Sequence, residues 1–508
     1  MSQDFITLRR DENQARRLGE YAIDFLAGRF DSPGQAALER VELFHLDSVA
    51  CGVSALSCGA RAPRVLRSEA FDYRAGEKPG AFCFGSRIAV KPEKAVLANS
   101  SAVREWDANG TNFGYNPARG ATRGEFGHND FYPVAIAGAQ LRGYDGPMAL
   151  RAMLLVDEIR GRLAEVFALK DYKIDHVVHG AIASAAVYGA LLGATAEQIE
   201  SAIGLVVAHF IPFRAIRAGK QLSDSKGASA ALSAEMAVTS VHRAMRGFVG
   251  PADIFRNPEA IFCLFERPQE KGTSPFDLTL ATGGDDFAIL GMHFKLGLYE
   301  HQSAGAIEGL ITLLARNPAL LNDADAIERI RIVTYQPAFG IIGDPAKRDP
   351  RTRQSADHSM VYIVATLLRK ALESRTASWR ELMLVPADYD DAALFDPLTR
   401  RLIERIEFSH GGPSYDEKYP DGIPTTLEIV HRTLGTDSSG LVMYPEGHAR
   451  NTSGNLKSLL ETKFRLLAGQ GVADADALYR RFTGFASKSA DDIARLCDFE
   501  ILGLPDPA

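Results

Sequence analysis

The chain has 508 residues, too many for one simple core, so two domains are expected. Its 46% hydrophobic and 24% charged content is ordinary for a globular protein, and a net charge of −7 argues against a general nucleic-acid binder, which presents a basic face. Cys51, Cys58, Cys83, Cys263 and Cys497 are scattered and odd in number, with no C-x-x-C pair, which argues against a disulfide framework, a zinc site or an iron–sulfur cluster.

Buried free thiols in a reducing compartment are the expectation. The first residues lack an apolar signal core. The longest uncharged apolar run, residues 203–213, holds His209 and Pro212 and is too short to span a bilayer. A cytoplasmic protein without a membrane partner is expected.

Residues 12–31 and 34–56 carry apolar side chains at helical spacing, separated by Ser32-Pro33-Gly34, and predict a helical hairpin. Segments 94–105, 131–143, 147–169, 180–193, 196–210 and 227–246 continue the pattern, with Thr195 and Gln198 forming a capping-box signature. Before residue 280 the main strand candidate is a hairpin at 80–90. Residues 267–287, with Pro268, Gly272, Gly283 and Gly284, mark a connection. Beyond it, residues 327–335, 403–409 and 425–432 read as strands, 300–316 and 360–373 as helices, and 453–500 as helical again. The predicted fold is mainly α: a large all-helical domain (1–270), a smaller α+β domain (280–445), and C-terminal helices (446–508) that return to the first.

Five groups of residues could carry chemistry. Asp107 and Thr111 are four apart and would share one face of a helical turn, and His128 lies just ahead of the next helix. Asp175-His176 leads into an Ala-rich helix, where a histidine can act as acid or base or simply cap and pack. Arg214, Arg217, Lys220 and Lys226 lie between two small-residue-rich segments, so they either bind an anion or form a solvated loop. Lys295 precedes Glu300-His301, and Asp357-His358-Ser359 reads as a turn and N-cap. No metal site is expected, and neither a Walker nor a Rossmann glycine pattern occurs in a suitable context.

Short blocks in order along the chain resemble the MmgE/PrpD family. They are Leu43 to Gly52, Asp107 with Thr111, Gly127-His128, Asp175-His176, Leu222-Ser223-Asp224-Ser225-Lys226-Gly227, Asp344-Pro345 through Ser359, and Tyr444 to Asn451. The resemblance implies a helical domain with an α+β lid, a homodimer, and a site between the domains built from Asp107, Thr111, His128, His176, Lys220 or Lys226, and Lys295. Two departures fall on these blocks: Gly110 stands where the family usually has Asp, and Asn129-Asp130 follow the histidine where Pro-Ser is usual. The stretch 112–127 is also longer than usual and rich in Gly, Asn and Arg, including Arg119 and Arg123.

The activity implied is a cofactor-independent lyase that dehydrates a 2-methylcitrate-like hydroxy acid, with a small di- or tricarboxylate as substrate. Asp107, Thr111, His128, His176 and Lys226 would form the catalytic set, and Arg214, Arg217, Lys220 and Lys295 would bind carboxylates. Decarboxylation or isomerisation of a cis-aconitate-like acid is the alternative within the family. A catalytically silent carboxylate-binding protein is the alternative outside it.

Overall fold

The computed structural model describes residues 5–217 and 223–506. It is mostly helical, and its chain divides into two compact units. Of the described residues, the first comprises 5–217, 224–292 and 467–506; the second comprises 223 and 293–466.

The first unit opens with β1 (Phe5–Leu8) and α1 (Gln14–Leu26), whose Leu18, Tyr21, Ala22 and Phe25 are buried at helical spacing behind an Asn13 cap. In α2 (Gln35–Ser57) every residue from Phe44 to Leu56 is buried, so this helix is surrounded by protein on all sides. After α3 (Arg61–Phe71), strands β2 (Ala81–Phe82) and β3 (Ala89–Val90) form the expected antiparallel hairpin. Helix α4 (Pro92–Glu105) starts with proline in its first turn, where the missing N–H costs nothing. It packs on α2, α3 and α9 (Asp224–Met245).

Between α4 and α5 (Tyr132–Arg142) lies an antiparallel pair, β4 (Thr111–Phe113) and β5 (Glu125–His128). Then follow α6 (Gly146–Val166), α7 (Val177–Leu192) and α8 (Ala196–His209). The Thr195–Gln198 capping box that opens α8 forms as its sequence predicts. Helix α7 is apolar and almost wholly buried, and a Cβ on its Gly180 would lie 2.2 Å from the Phe131 ring. That glycine sets how closely α5 and α7 approach.

Two expectations need correction. The helical unit is not all-helical, because β1 pairs with β6 (Leu278–Ala281), and β2–β3 and β4–β5 add two more ribbons. Asp107 and Thr111 do not share a helical face, since α4 ends at Glu105 and Thr111 already belongs to β4.

The second unit is built on a four-stranded sheet in the order β10–β9–β7–β8. Strands β7 (Ile327–Thr334) and β8 (Ile406–His410) run parallel; β9 (Thr425–His431) and β10 (Gly435–Val442) are antiparallel neighbours. Helix Ala304–Arg316 packs on β9 and β10, and Met360–Ser374 packs on it in turn, capped by Ser359, which accepts the Tyr362 N–H at 3.3 Å. The segment 453–500 is helical, as expected, in three pieces: Leu456–Ala468, Ala475–Arg481 and Ala490–Ala494. Four of the five thiols are buried; Cys58 is exposed. No single helix among the described residues is long and apolar enough to cross a membrane.

Candidate active site

The catalytic candidates of the first unit converge around one residue the sequence reading missed, Arg104 on the last turn of α4. Its Nη2 lies 3.1 Å from His128 Nε2 and 3.8 Å from Asp107 Oδ2, and its Nε lies 3.8 Å from Asp130 Oδ2. Asp107 follows the helix end by two residues and also receives Lys226 Nζ at 3.1 Å from the first turn of α9. Arg104, Asp107, His128 and Lys226 are all buried. Charges removed from water persist only with such partners. The spacing Arg104–Asp107 is i, i+3 at a helix end, which is the signal that could have revealed Arg104.

His128 closes β5 opposite Thr111 of β4, so the strand register makes these two cross-strand neighbours. The ring is held from both sides. Its Nδ1 sits 2.9 Å from the Gly110 carbonyl, which can only accept, so Nδ1 carries the hydrogen and Nε2 of the neutral ring accepts from Arg104. His176, capping position of α7, faces His128 with ring centroids 5.2 Å apart and has its Nε2 3.8 Å from Asp175. Thr111 Oγ1 donates to Asn112 Oδ1 at 3.0 Å. Asp107, His128 and Lys226 are thus linked through Arg104 and the Asp107–Lys226 pair, His176 joins them by its ring contact with His128, and Thr111 stands beside His128 on the neighbouring strand.

The departures from the family pattern have local causes. A Cβ at Gly110 would lie 2.4 Å from the Phe44 ring and 3.2 Å from Met292, so no side chain fits there. The Gly110 N–H donates to Asp47 at 3.1 Å. Asn129 donates to the Phe44 carbonyl at 2.6 Å, and its own carbonyl receives Ser48 Oγ at 2.5 Å. Asp130 stands 3.8 Å from Arg104 and 3.7 Å from Arg160, countering two buried guanidinia. The stretch 112–127 takes in most of the β4–β5 ribbon and its connection, 114–124, with a turn closed by Asn116 N–H to Ala121 carbonyl at 2.8 Å. Its arginines are engaged by carboxylates, Arg119 by Asp286 and Arg123 by Glu266, both at 2.9 Å.

The cationic segment is only partly placed. Arg214–Arg217 is a single 3-10 turn, and the Arg214 guanidinium lies 5.3 Å from the Phe126 ring of β5. The Arg217 side chain, Lys220 and Leu222 lie outside the described residues. Lys295 belongs to the second unit, where it is buried and its carbonyl accepts Lys463 Nζ at 2.7 Å. Among the described residues no group of three His, Cys, Asp or Glu is placed to hold a metal ion.

Comparison with known proteins agrees with this arrangement of blocks. Residues 16–273 match the MmgE/PrpD N-terminal domain and residues 299–481 the MmgE/PrpD C-terminal domain. Similar proteins include a 2-methylcitrate dehydratase of Escherichia coli K12, 28% identical over 325 residues covering 62% of each chain. One from Salmonella typhimurium is 26% identical over the same length and coverage. A mitochondrial 2-methylcitrate dehydratase of Yarrowia lipolytica is 25% identical over 477 residues, 89% of this chain and 83% of the relative. The match spans 62% of the length of the bacterial relatives. Matched in order by both domains of one family, the chain belongs to the MmgE/PrpD family.

Proposed function

We propose that the chain is a hydro-lyase that removes water from a 2-methylcitrate-like hydroxy acid without a cofactor. The observation that carries this reading is the buried acid–base group around Arg104, in a chain whose relatives bear the name 2-methylcitrate dehydratase. His128 Nε2, the accepting nitrogen, takes the proton from carbon α to a carboxylate. The electron pair forms the double bond, the C–O bond breaks, and His176 supplies the proton with which the hydroxyl leaves as water. The Asp175 carboxylate lies 3.8 Å from His176 Nε2, a negative group beside the proposed proton donor. Each such proton transfer is worth about 10²–10⁴-fold in rate.

Asp107, clamped by Lys226 and Arg104, acts as a counter-ion and not as the proton donor. The buried group has three cations (Arg104, Arg160, Lys226) facing three carboxylates (Asp107, Asp130, Asp157). Net attraction for a polycarboxylate therefore has to come from elsewhere, and Arg214, Arg217 and Lys220 are the residues assigned to it. Lys295 is assigned to the same substrate, and the assembly to a homodimer, on the family resemblance.

The test is incubation with 2-methylcitrate and citrate, following loss of water, release of CO₂ and uptake of deuterium from D₂O. Dehydration of 2-methylcitrate is expected. CO₂ release or exchange without water loss would move the chain to the decarboxylase or isomerase reading. The absence of all three would leave a binding protein.

A further inference from the structure

Glu125 takes no part in the proposed proton transfers, yet it is buried, with 3% of its surface exposed. It opens β5, the strand that ends in His128. Its Oε1 accepts the N–H of Phe126 at 2.7 Å and its Oε2 accepts the N–H of Lys170 at 2.8 Å. Lys170 lies in the 3-10 turn Leu169–Tyr172, from which the chain runs directly to Asp175-His176. A second tie joins the same segments, since Lys170 Nζ donates to the Arg123 carbonyl at 2.8 Å. The cationic segment is attached as well: Asp175 N–H donates to Pro212 at 2.9 Å, Arg214 N–H donates to Lys173 at 2.8 Å, and Arg214 faces Phe126.

The geometry points to Glu125 as a positioning residue that sets the spacing of His128 and His176 by clasping the strand that carries one to the turn that leads to the other. The choice of residue follows from the donors. Two backbone N–H groups meet two different oxygens, and only an ionised carboxylate offers two acceptors and no donor. Glutamine would turn an amide N–H₂ towards one of those N–H groups. The cost is desolvation: burial, partly offset by the two N–H groups, Lys170 and Arg214, pushes the Glu125 carboxyl up to about 7. A purely structural position would be served by a neutral side chain at lower cost. The functional meaning of the clasp rests on the dehydratase reading, but its geometry does not.

The experiment therefore reads the histidines directly. Protein labelled with ¹⁵N-histidine is prepared as wild type, Glu125→Ala and Glu125→Gln, with His128→Asn and His176→Asn assigning the two ring signals. Both Glu125 variants are expected to move the His128 and His176 signals while the remaining histidines stay in place. On 2-methylcitrate they are expected to lower kcat by about 10- to 100-fold at little-changed KM, the effect of displaced reacting groups. If Glu125→Ala does not fold, Glu125→Gln, which keeps one acceptor, carries the measurement alone. Unmoved His128 and His176 signals would overturn the clasp, and so would a displacement spread evenly over all histidines. If wild type leaves 2-methylcitrate untouched, the dehydratase reading fails on its own and the histidine signals still decide the clasp.

Discussion

Lys226 and Asp107 are the pair at which stability and the proposed chemistry meet. Their 3.1 Å ion pair is buried on both sides, so removing one partner strands a charge. Lys226→Met is expected to cost about 3–5 kcal/mol of stability, measured by urea unfolding of the first unit's transition. On the dehydratase reading, turnover should fall by about 10²–10³-fold, because Asp107 loses its clamp and no longer holds Arg104 in place against His128. The double variant Asp107→Asn/Lys226→Met separates the two effects. It should recover most of the stability and none of the activity; recovery of both would mean the pair is structural only.

At the scale of elements, the link from α4 to β4 decides the site. At Gly110 it passes directly against the Phe44 ring of α2, where no Cβ fits, and offers its carbonyl to His128. Gly110→Ala forces the Phe44 ring or the turn to move, so about 1–3 kcal/mol of destabilisation is expected, read as a lowered urea midpoint. The same substitution displaces the His128 acceptor and should lower kcat. An unchanged midpoint would show that the turn relaxes freely. The α4 terminus, the β5 end, the α7 start and the α9 start each deliver one or two side chains, so the site depends on how these four elements pack.

For the whole molecule, burial of neutral histidine adds a pH dependence that no single contact reveals. His179 on α7 is buried, and desolvation pushes it down to about 3 from an ordinary value of 6.5. Between those values the unfolded chain binds a proton that the folded one refuses, so stability rises with pH across that window and is lost as pH falls from 6.5 towards 3. Glu125 acts in the opposite sense. Its folded value lies above the unfolded one, so its contribution is most favourable below about 4.5 and is lost as pH rises to about 7. His179→Gln is expected to flatten the acid side of the stability profile by about 1.4 kcal/mol per pH unit between the two His179 values. Urea midpoints measured from pH 4 to 7 check this; a slope identical to wild type would show that His179 is protonated in the fold.

Much of this was legible in the chain. Helical periodicity placed α1, α2 and α4–α9 to within a few residues, because each buries one face or all of its surface and so repeats apolar residues accordingly. Asp107, His128, His176 and Lys226 stood out because polar residues at the ends of apolar helices need a reason. The ribbons β4–β5 and β1–β6, and strand β10 with its Gly-, Ser- and Asp-rich Gly435–Val442, did not stand out. Short or polar strands are stabilised by the partner they pair with, and a partner distant in sequence leaves no local pattern.

The sequence by itself determined the helices, the division of character near residue 280 and the residue types able to carry acid–base chemistry. Only the tertiary structure decided that Arg104 joins Asp107 to His128, that the Gly110 carbonyl fixes which imidazole nitrogen accepts, and that Glu125 ties the two histidine segments together. Periodicity encodes which face of an element is buried. It does not encode which distant elements meet there, and a buried charge acquires its role only from the partner that packing brings within reach.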